Sequence, residues 1–175
     1  MIDANDREIL NILQKNARTS NAEIARQLGM APSAILERIR KLEARGVIRG
    51  YEVRLDPEAL GLGVLAYVSV RDESPNNEGR AGDLLAAIPE VQEVHHIAGE
   101  DCFLVKVRTA DAKSLGRLLR GGFAAVGPVR TRTTVVLETV YETARLPIDA
   151  PASSLEKTVT TEPEVEALVE EVAHA

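Results

Sequence analysis

The sequence predicts an α+β protein: an N-terminal winged helix-turn-helix followed by a C-terminal ferredoxin-like βαββαβ domain. Three observations carry this expectation. Apolar residues recur at helical spacing through the first third of the chain, with glycine stops at Gly29 and Gly46. From Val64 onward, strand-like and helix-like stretches follow one another in the order β-α-β-β-α-β. Positive charge is concentrated at the start, where residues 1–50 carry nine Lys/Arg against six acids. The expected division is 1–50 for the helical domain, 51–62 for a linker strand, 63–142 for the sheet domain and 143–175 for an acidic extension.

The first helix is expected from about Ala4 to Asn16, with Ile9, Leu10, Ile12 and Leu13 on its apolar side and Asp3 as N-cap. Ser20-Asn21-Ala22-Glu23 fits a reciprocal capping box and opens a short second helix with Ile24, Ala25 and Leu28 as its buried stripe. Pro32 suits the first position of a third helix, whose core face is Ile35, Ile39 and Leu42. A short helix, a glycine turn and a longer helix make a helix-turn-helix. Val47, Ile48, Tyr51, Val53 and Leu55 suggest a strand pair around Gly50, the wing. The plain alternative is a three-helix bundle with a charged surface.

At 100° per residue, Ser33, Glu37, Arg40, Lys41 and Ala44 lie opposite the apolar stripe, with Ala34 and Arg38 on its flank. A recognition helix reads base edges through its N-terminal half. Ser33, Ala34, Glu37 and Arg38 are therefore the expected base readers, and Arg40, Lys41 and Arg49 the expected phosphate contacts. Ser20 and Asn21, at the start of the second helix, complete the expected contact set with double-stranded DNA.

In the second domain, Val64–Val70 reads as a strand, Leu84, Leu85 and Ile88 as a helix, and Val91–Ile97 as a strand. A turn at Gly99-Glu100-Asp101 leads to a strand with Phe103, Val105 and Val107. Asp111 caps a helix with Leu115, Leu118 and Leu119, and Val129–Val140 is the last strand. Helices should cover one sheet face. The other is expected to be apolar with little charge, and so buried by sheet-to-sheet dimerisation. His95 and His96 are adjacent on a strand, point to opposite faces and cannot chelate one metal together. No nucleophile–histidine–acid set, phosphate-binding glycine loop or metal cluster stands out, so neither enzymatic activity nor a cofactor is expected.

The chain has 175 residues, of which 45% are hydrophobic and 27% charged, values typical of globular proteins. Aromatics are only 3%, with no Trp, so the cores must come from Ile, Leu, Val and Ala. No apolar run reaches the roughly 18 residues of a membrane span. The acidic opening Met1–Asp6 has no apolar signal region. Cys102 is the single cysteine, which excludes an internal disulfide framework. A cytoplasmic protein with no membrane partner is expected. Residues 146–175 hold seven acids and one Lys. Leu146–Ser154 has linker composition, and Val165, Leu168, Val169 and Val172 follow Glu162-Pro163-Glu164 in an acidic amphipathic pattern. Seven acids would be repelled by phosphate, which argues against a DNA contact there.

The strings Asp3–Leu10, Ala17–Ala25 and Ile39–Tyr51 closely resemble the leucine-responsive/asparagine-regulator (Lrp/AsnC, feast/famine) family of transcription factors. Pro89–Val94, Gly99 and Arg132–Glu138 resemble its effector domain, and the resemblance covers residues 2–142. It implies a DNA-binding regulator that responds to a small effector, usually an amino acid. It also implies homodimers that assemble to tetramers or octamers. Effector contacts would fall on Ala98, Gly99, Glu100, Asp101, Cys102, Thr133 and Val135. The family's turn runs Gly-x-x-Asp; here Cys102 stands in the place of the acid. The family commonly has Ser where Ala31 stands, a loss of an N-cap hydroxyl worth about 1 kcal/mol that Pro32 partly offsets. The rival readings are a nucleoid-compacting protein with little sequence preference and a tetrapyrrole-processing decarboxylase of the same fold.

Overall fold

The computed structural model describes residues 2–73 and 80–148. The chain forms two compact units: one from the N-terminus to Glu52 together with the segment from Thr143 onward, the other Val53–Glu142.

The first unit is built from α1 (Ala4–Lys15), α2 (Asn21–Leu28) and α3 (Pro32–Ala44). The start of α1 is closed by a full capping box. The Asp6 N–H donates to the Asp3 carboxylate at 2.8 Å, and the Asp3 N–H donates to Asp6 at 3.2 Å. At α2 only half of the expected box forms. Ser20 Oγ accepts from the Glu23 N–H at 3.2 Å, but the Glu23 carboxylate turns outward to Arg26 and Gln27. Two donors on the next turn outcompete one backbone N–H. Gly29 ends α2 in the left-handed region, at φ 66°, as the turn into α3 requires. Ala31 gives α3 no side-chain cap, and Pro32 occupies its first turn. Ile9, Ile24, Ala25, Ile35 and Ile39 interlock as the core of this unit.

Residues 46–63 contain no strand, so the hairpin expected around Gly50 is absent. Ile48 joins the helical core instead, while Val53 is 81% exposed and Leu55 67%. A lone two-stranded hairpin without a covered face is marginal. Tyr51 instead donates its hydroxyl to Glu43 at 3.1 Å.

The second unit holds β1 (Val64–Asp72), α4 (Arg80–Ala86), β2 (Val91–His96), β3 (Phe103–Thr109), α5 (Ala112–Leu118) and β4 (Val129–Val135). The four strands form one antiparallel sheet in the order β2-β3-β1-β4. This is the split βαβ arrangement. Asp111 caps α5 by accepting from the Ser114 N–H at 2.6 Å. Past α5 the chain tightens through Leu119–Val126, which buries Phe123 completely. Ala66, Val68, Val70, Phe103, Val105 and Val107 pack under Leu85, Leu115, Leu118 and Phe123.

Two expectations are corrected here. The last strand stops at Val135, not Val140. Its partner β1 begins at Val64, and Leu137 and Val140 are 99% and 91% exposed. The helix-free sheet face is not poor in charge. Cross-strand partners share a face, which puts Arg71, Lys106, Arg108, Arg130 and Arg132 on it beside Leu65, Tyr67 and Leu104. In β3 and β4, Val or Thr alternates with Arg or Lys over part of each strand, and the apolar set went to the helices.

Replacing Phe123 or Leu85 by Ala, each fully buried, should cost about 2–5 kcal/mol. Urea unfolding of the full chain followed by circular dichroism measures this; a loss under about 1 kcal/mol would contradict the packing.

Candidate functional site

On α3 one stripe is committed to the core: Ile35 is 0% exposed, Ile39 6% and Leu42 1%. The helix period then fixes what faces solvent. Ser33, Glu37, Arg40 and Lys41 are exposed, Ala34 is half-buried, and Arg49 is exposed just beyond the helix. Lys41 and Glu37 form an i,i+4 pair at 2.7 Å with both side chains about two-thirds exposed, at 68% and 67%. The Lys41 ammonium holds the Glu37 carboxyl below its ordinary range. Such an exposed pair is worth little and exchanges partners readily. Ser20 is spent on its own cap, and Asn21 is half-buried at the start of α2.

Arg38 is placed differently from its flank neighbours. Its guanidinium bonds Asp3 at 2.6 Å and Asp6 at 2.7 Å, and its side chain is 29% exposed. It turns toward the N-terminus of α1 instead of the outer face of α3. Asp3 and Asp6 thus cap α1 and grip α3 with the same carboxylates. The Asp6 N–H first, and then the Arg38 guanidinium, hold the Asp3 carboxyl below its ordinary range. At α2, hydrogen bonds from Arg26 and then Gln27 bring the Glu23 carboxyl down to about 2.

In the second unit, the turn between β2 and β3 is closed by two backbone bonds. The Ile97 N–H donates to the Cys102 carbonyl at 3.0 Å, and the Cys102 N–H to the Val70 carbonyl at 2.9 Å. Gly99 has φ 131°, a conformation that side-chain-bearing residues rarely adopt. Ala98, Gly99 and Glu100 are exposed, and Cys102 is half-buried. Asp101 is paired with Arg132 of β4 at 3.0 Å. The sequence reading missed Arg132 as a partner of the turn, although its alternation with Arg130 on a strand otherwise rich in Thr and Val was a visible signal. Thr133 and Val135 lie further along β4. Val135 is opposite Ala66, four residues from the Val70 end where the turn sits, so about 13 Å separates them along the strand. One chain therefore does not bring Val135 and the turn together, whereas Thr133 directly follows Arg132 and lies opposite Val68.

On the helix-free face, Lys106 is nearly buried between Glu142 at 2.5 Å and Glu93 at 3.1 Å. The Glu142 carboxylate above all raises its pKa. His95 bonds Glu93 at 3.2 Å, and His96 lies against the Phe103 ring at 5.2 Å between centroids, so the two histidines do face apart. A cavity of about 670 Å³ lined by Leu84, Ile88, Glu90, Arg117 and Leu118 opens at the end of the sheet away from the turn. Among the described residues no group of three or more His, Cys, Asp or Glu could hold a metal, and no helix is long and apolar enough to cross a membrane.

A helix-turn-helix with a cationic outer face, joined to a split-βαβ sheet with a pinned glycine turn, defines a DNA-binding regulator with a ligand-binding module. Residues 2–49 match the family profile described as winged helix-turn-helix DNA-binding, and residues 64–146 that of the Lrp/AsnC ligand binding domain. The chain is similar to the HTH-type transcriptional regulator LrpA of Mycobacterium tuberculosis, at 36% identity over 80% of this chain and 93% of that one. The leucine-responsive regulatory protein of Escherichia coli is 35% identical over 84% of this chain and 92% of its own. The crystallised feast or famine regulatory protein of M. tuberculosis, complexed with L-methionine, superposes with a TM-score of 0.79. It is 34% identical, over 83% of this chain and 99% of that one. The chain belongs to the Lrp/AsnC family and is an HTH-type transcriptional regulator.

Arg38→Ala should destabilise the first unit by about 1–3 kcal/mol, because Asp6 keeps a nearly buried carboxylate without its cation. Thermal unfolding at neutral pH measures it, and an unchanged midpoint would deny the grip. The pH dependence follows from Asp3, whose folded pKa lies below the ordinary value of about 3.9. Its stabilisation is complete above that value and is lost as pH falls through the depressed folded one. Asp3→Asn should therefore flatten the acid limb of the stability curve.

Proposed function

We propose that α3 enters the major groove, with Ser33, Ala34 and Glu37 toward base edges and Arg40, Lys41 and Arg49 on phosphates. The observation that carries this reading is the commitment of Ile35, Ile39 and Leu42 to the core, which leaves the opposite, cationic side open. Arg38 serves as a positioning residue that fixes α3 against α1. Two copies of α3, supplied by a homodimer or a larger assembly, would occupy successive major grooves about one turn apart on a pseudo-palindromic site. The protein works in the cytoplasm as a regulator without catalytic activity.

An amino acid is the effector class that the relatives support, since L-methionine is bound in the M. tuberculosis regulator. The turn Ala98–Cys102 supplies the contacts: Asp101 for the ammonium group and Arg132 for the carboxylate, the two charges that now pair with each other. Thr133 and Val135 complete the site from a second copy, a reading that the distance of Val135 from the turn in one chain supports. Effector binding would shift the balance between assemblies through a coupling of roughly 1–3 kcal/mol.

Lys41→Ala and Arg40→Ala should each weaken DNA binding and reduce the salt slope by about one. Fluorescence anisotropy across a salt series reads both, and unchanged affinity in both variants would remove α3 from the interface. The ratio of operator to random-duplex affinity at fixed salt separates a local regulator from a compacting protein. For the effector, a thermal-shift screen over the free amino acids should show a selective rise. Arg132→Ala should abolish that rise without lowering the unliganded midpoint; a rise unaffected by the variant would place the site elsewhere.

A further inference from the structure

The chain does not end at the sheet unit. After Glu142 it returns to the first unit and runs along α1. The Leu146 N–H donates to the Gln14 side chain at 2.6 Å, and Gln14 Nε2 donates back to the Leu146 carbonyl at 3.2 Å. Arg7 Nη1 then donates to the Ile148 carbonyl at 2.8 Å. From Leu146 to Ile148 the path passes from Gln14 to Arg7, toward the end of α1 where Asp3 and Asp6 hold Arg38 of α3. Beside that end a groove of about 470 Å³ separates α1 from α3, with Lys41 and Arg45 among its lining residues.

Residues 149–175 continue from this point, outside both matched profiles. They carry seven acids and one Lys, a net charge of −6, whereas residues 1–50 carry +3. These 27 residues would span about 40 Å as a helix and at most about 90 Å extended. The 13 residues of α3 are only about 20 Å long, so the segment is long enough to reach its cationic face. The relevant acids are closely spaced: Glu162, Glu164, Glu166, Glu170 and Glu171.

We propose that the acidic segment 149–175 docks on the Arg40/Lys41/Arg45/Arg49 side of α3 and competes there with duplex phosphate, making DNA binding self-limiting. A covalently attached competitor acts at a high effective concentration, so even weak pairing matters. The contact is electrostatic and is screened by salt together with DNA binding itself. The other cationic surface, Arg71, Arg130 and Arg132 on the sheet, is less suited. It belongs to the other compact unit, whereas the chain leaves from α1 of the unit that holds α3. The competition half of this proposal rests on α3 being the DNA contact; the docking half does not.

Two measurements on the full chain test it. A carbodiimide joins carboxylates to lysines in contact. Peptide mapping should find glutamates of 162–171 joined to Lys41, and a random-sequence duplex should suppress that product. Replacing Glu162, Glu164, Glu166, Glu170 and Glu171 by Gln should tighten binding to the same duplex by about fivefold or more at low salt, and the gain should fade as salt rises. Cross-links only to Lys15, Lys106 or Lys113, or none, would overturn docking on α3. A Lys41 product that survives saturating DNA would overturn competition and count equally against α3 as the DNA contact. Unchanged duplex affinity in the Gln variant would overturn the autoinhibitory role.

Discussion

Everything in the DNA-binding unit depends on how α3 spends its apolar side. Ile35 and Ile39 fit against Ile9 and Ile24, and this burial fixes the rotation of the helix about its own axis. A helix has one period, so committing that stripe leaves Ser33, Glu37, Arg40 and Lys41 facing solvent. Arg38 fixes the remaining freedom. By spanning Asp3 and Asp6 it ties the flank of α3 to the capped start of α1. The apolar stripe sets which side faces outward, and the charged grip sets where the helix lies along its neighbour. Recognition of a duplex asks for both, because base edges are read over a few ångströms.

The sheet unit solves its burial problem unequally on its two faces. One face is closed by α4, α5 and the tight turns that bury Phe123. The other carries five basic side chains among a few apolar ones. Lys106 is tolerated there in a nearly buried position because Glu93 and Glu142 both reach it. A mixed face of this kind can meet a second copy through specific charge pairs, but it does not force association as a continuous apolar face would. The pinned turn at Gly99 and the Asp101–Arg132 pair sit at one end of this sheet.

Much of the fold was legible because its signals are local. Asp3, Ser20, Pro32 and Asp111 mark helix starts, Gly29 and Gly46 mark stops, and alternation marks each strand within a few residues. What was not legible depends on distant partners. Arg38 reads as a base contact until Asp3 and Asp6, more than thirty positions earlier, take its guanidinium. The strand pair around Gly50 has adequate residues, but Ile48 is taken by the helical core and Val53 and Leu55 stay exposed. β4 reads as running to Val140 because Val, Leu and Thr continue, whereas pairing stops near the start of its antiparallel partner β1. The half-formed capping box at Ser20 fails for a local reason that pattern matching ignores: Glu23 has better donors at Arg26 and Gln27. The residues expected to contact an effector are divided by geometry, with Asp101 paired to Arg132 and Val135 remote from the turn.

The most direct test of the central claim is amide NMR of the full chain titrated with an operator-length duplex. The account predicts that the largest shift changes fall on Ser33, Ala34, Glu37, Arg40 and Lys41, while the amides of Ile9, Ile24, Ile35 and Ile39 stay protected from exchange. Changes confined to the sheet unit, or loss of protection at Ile35 and Ile39 on binding, would contradict it.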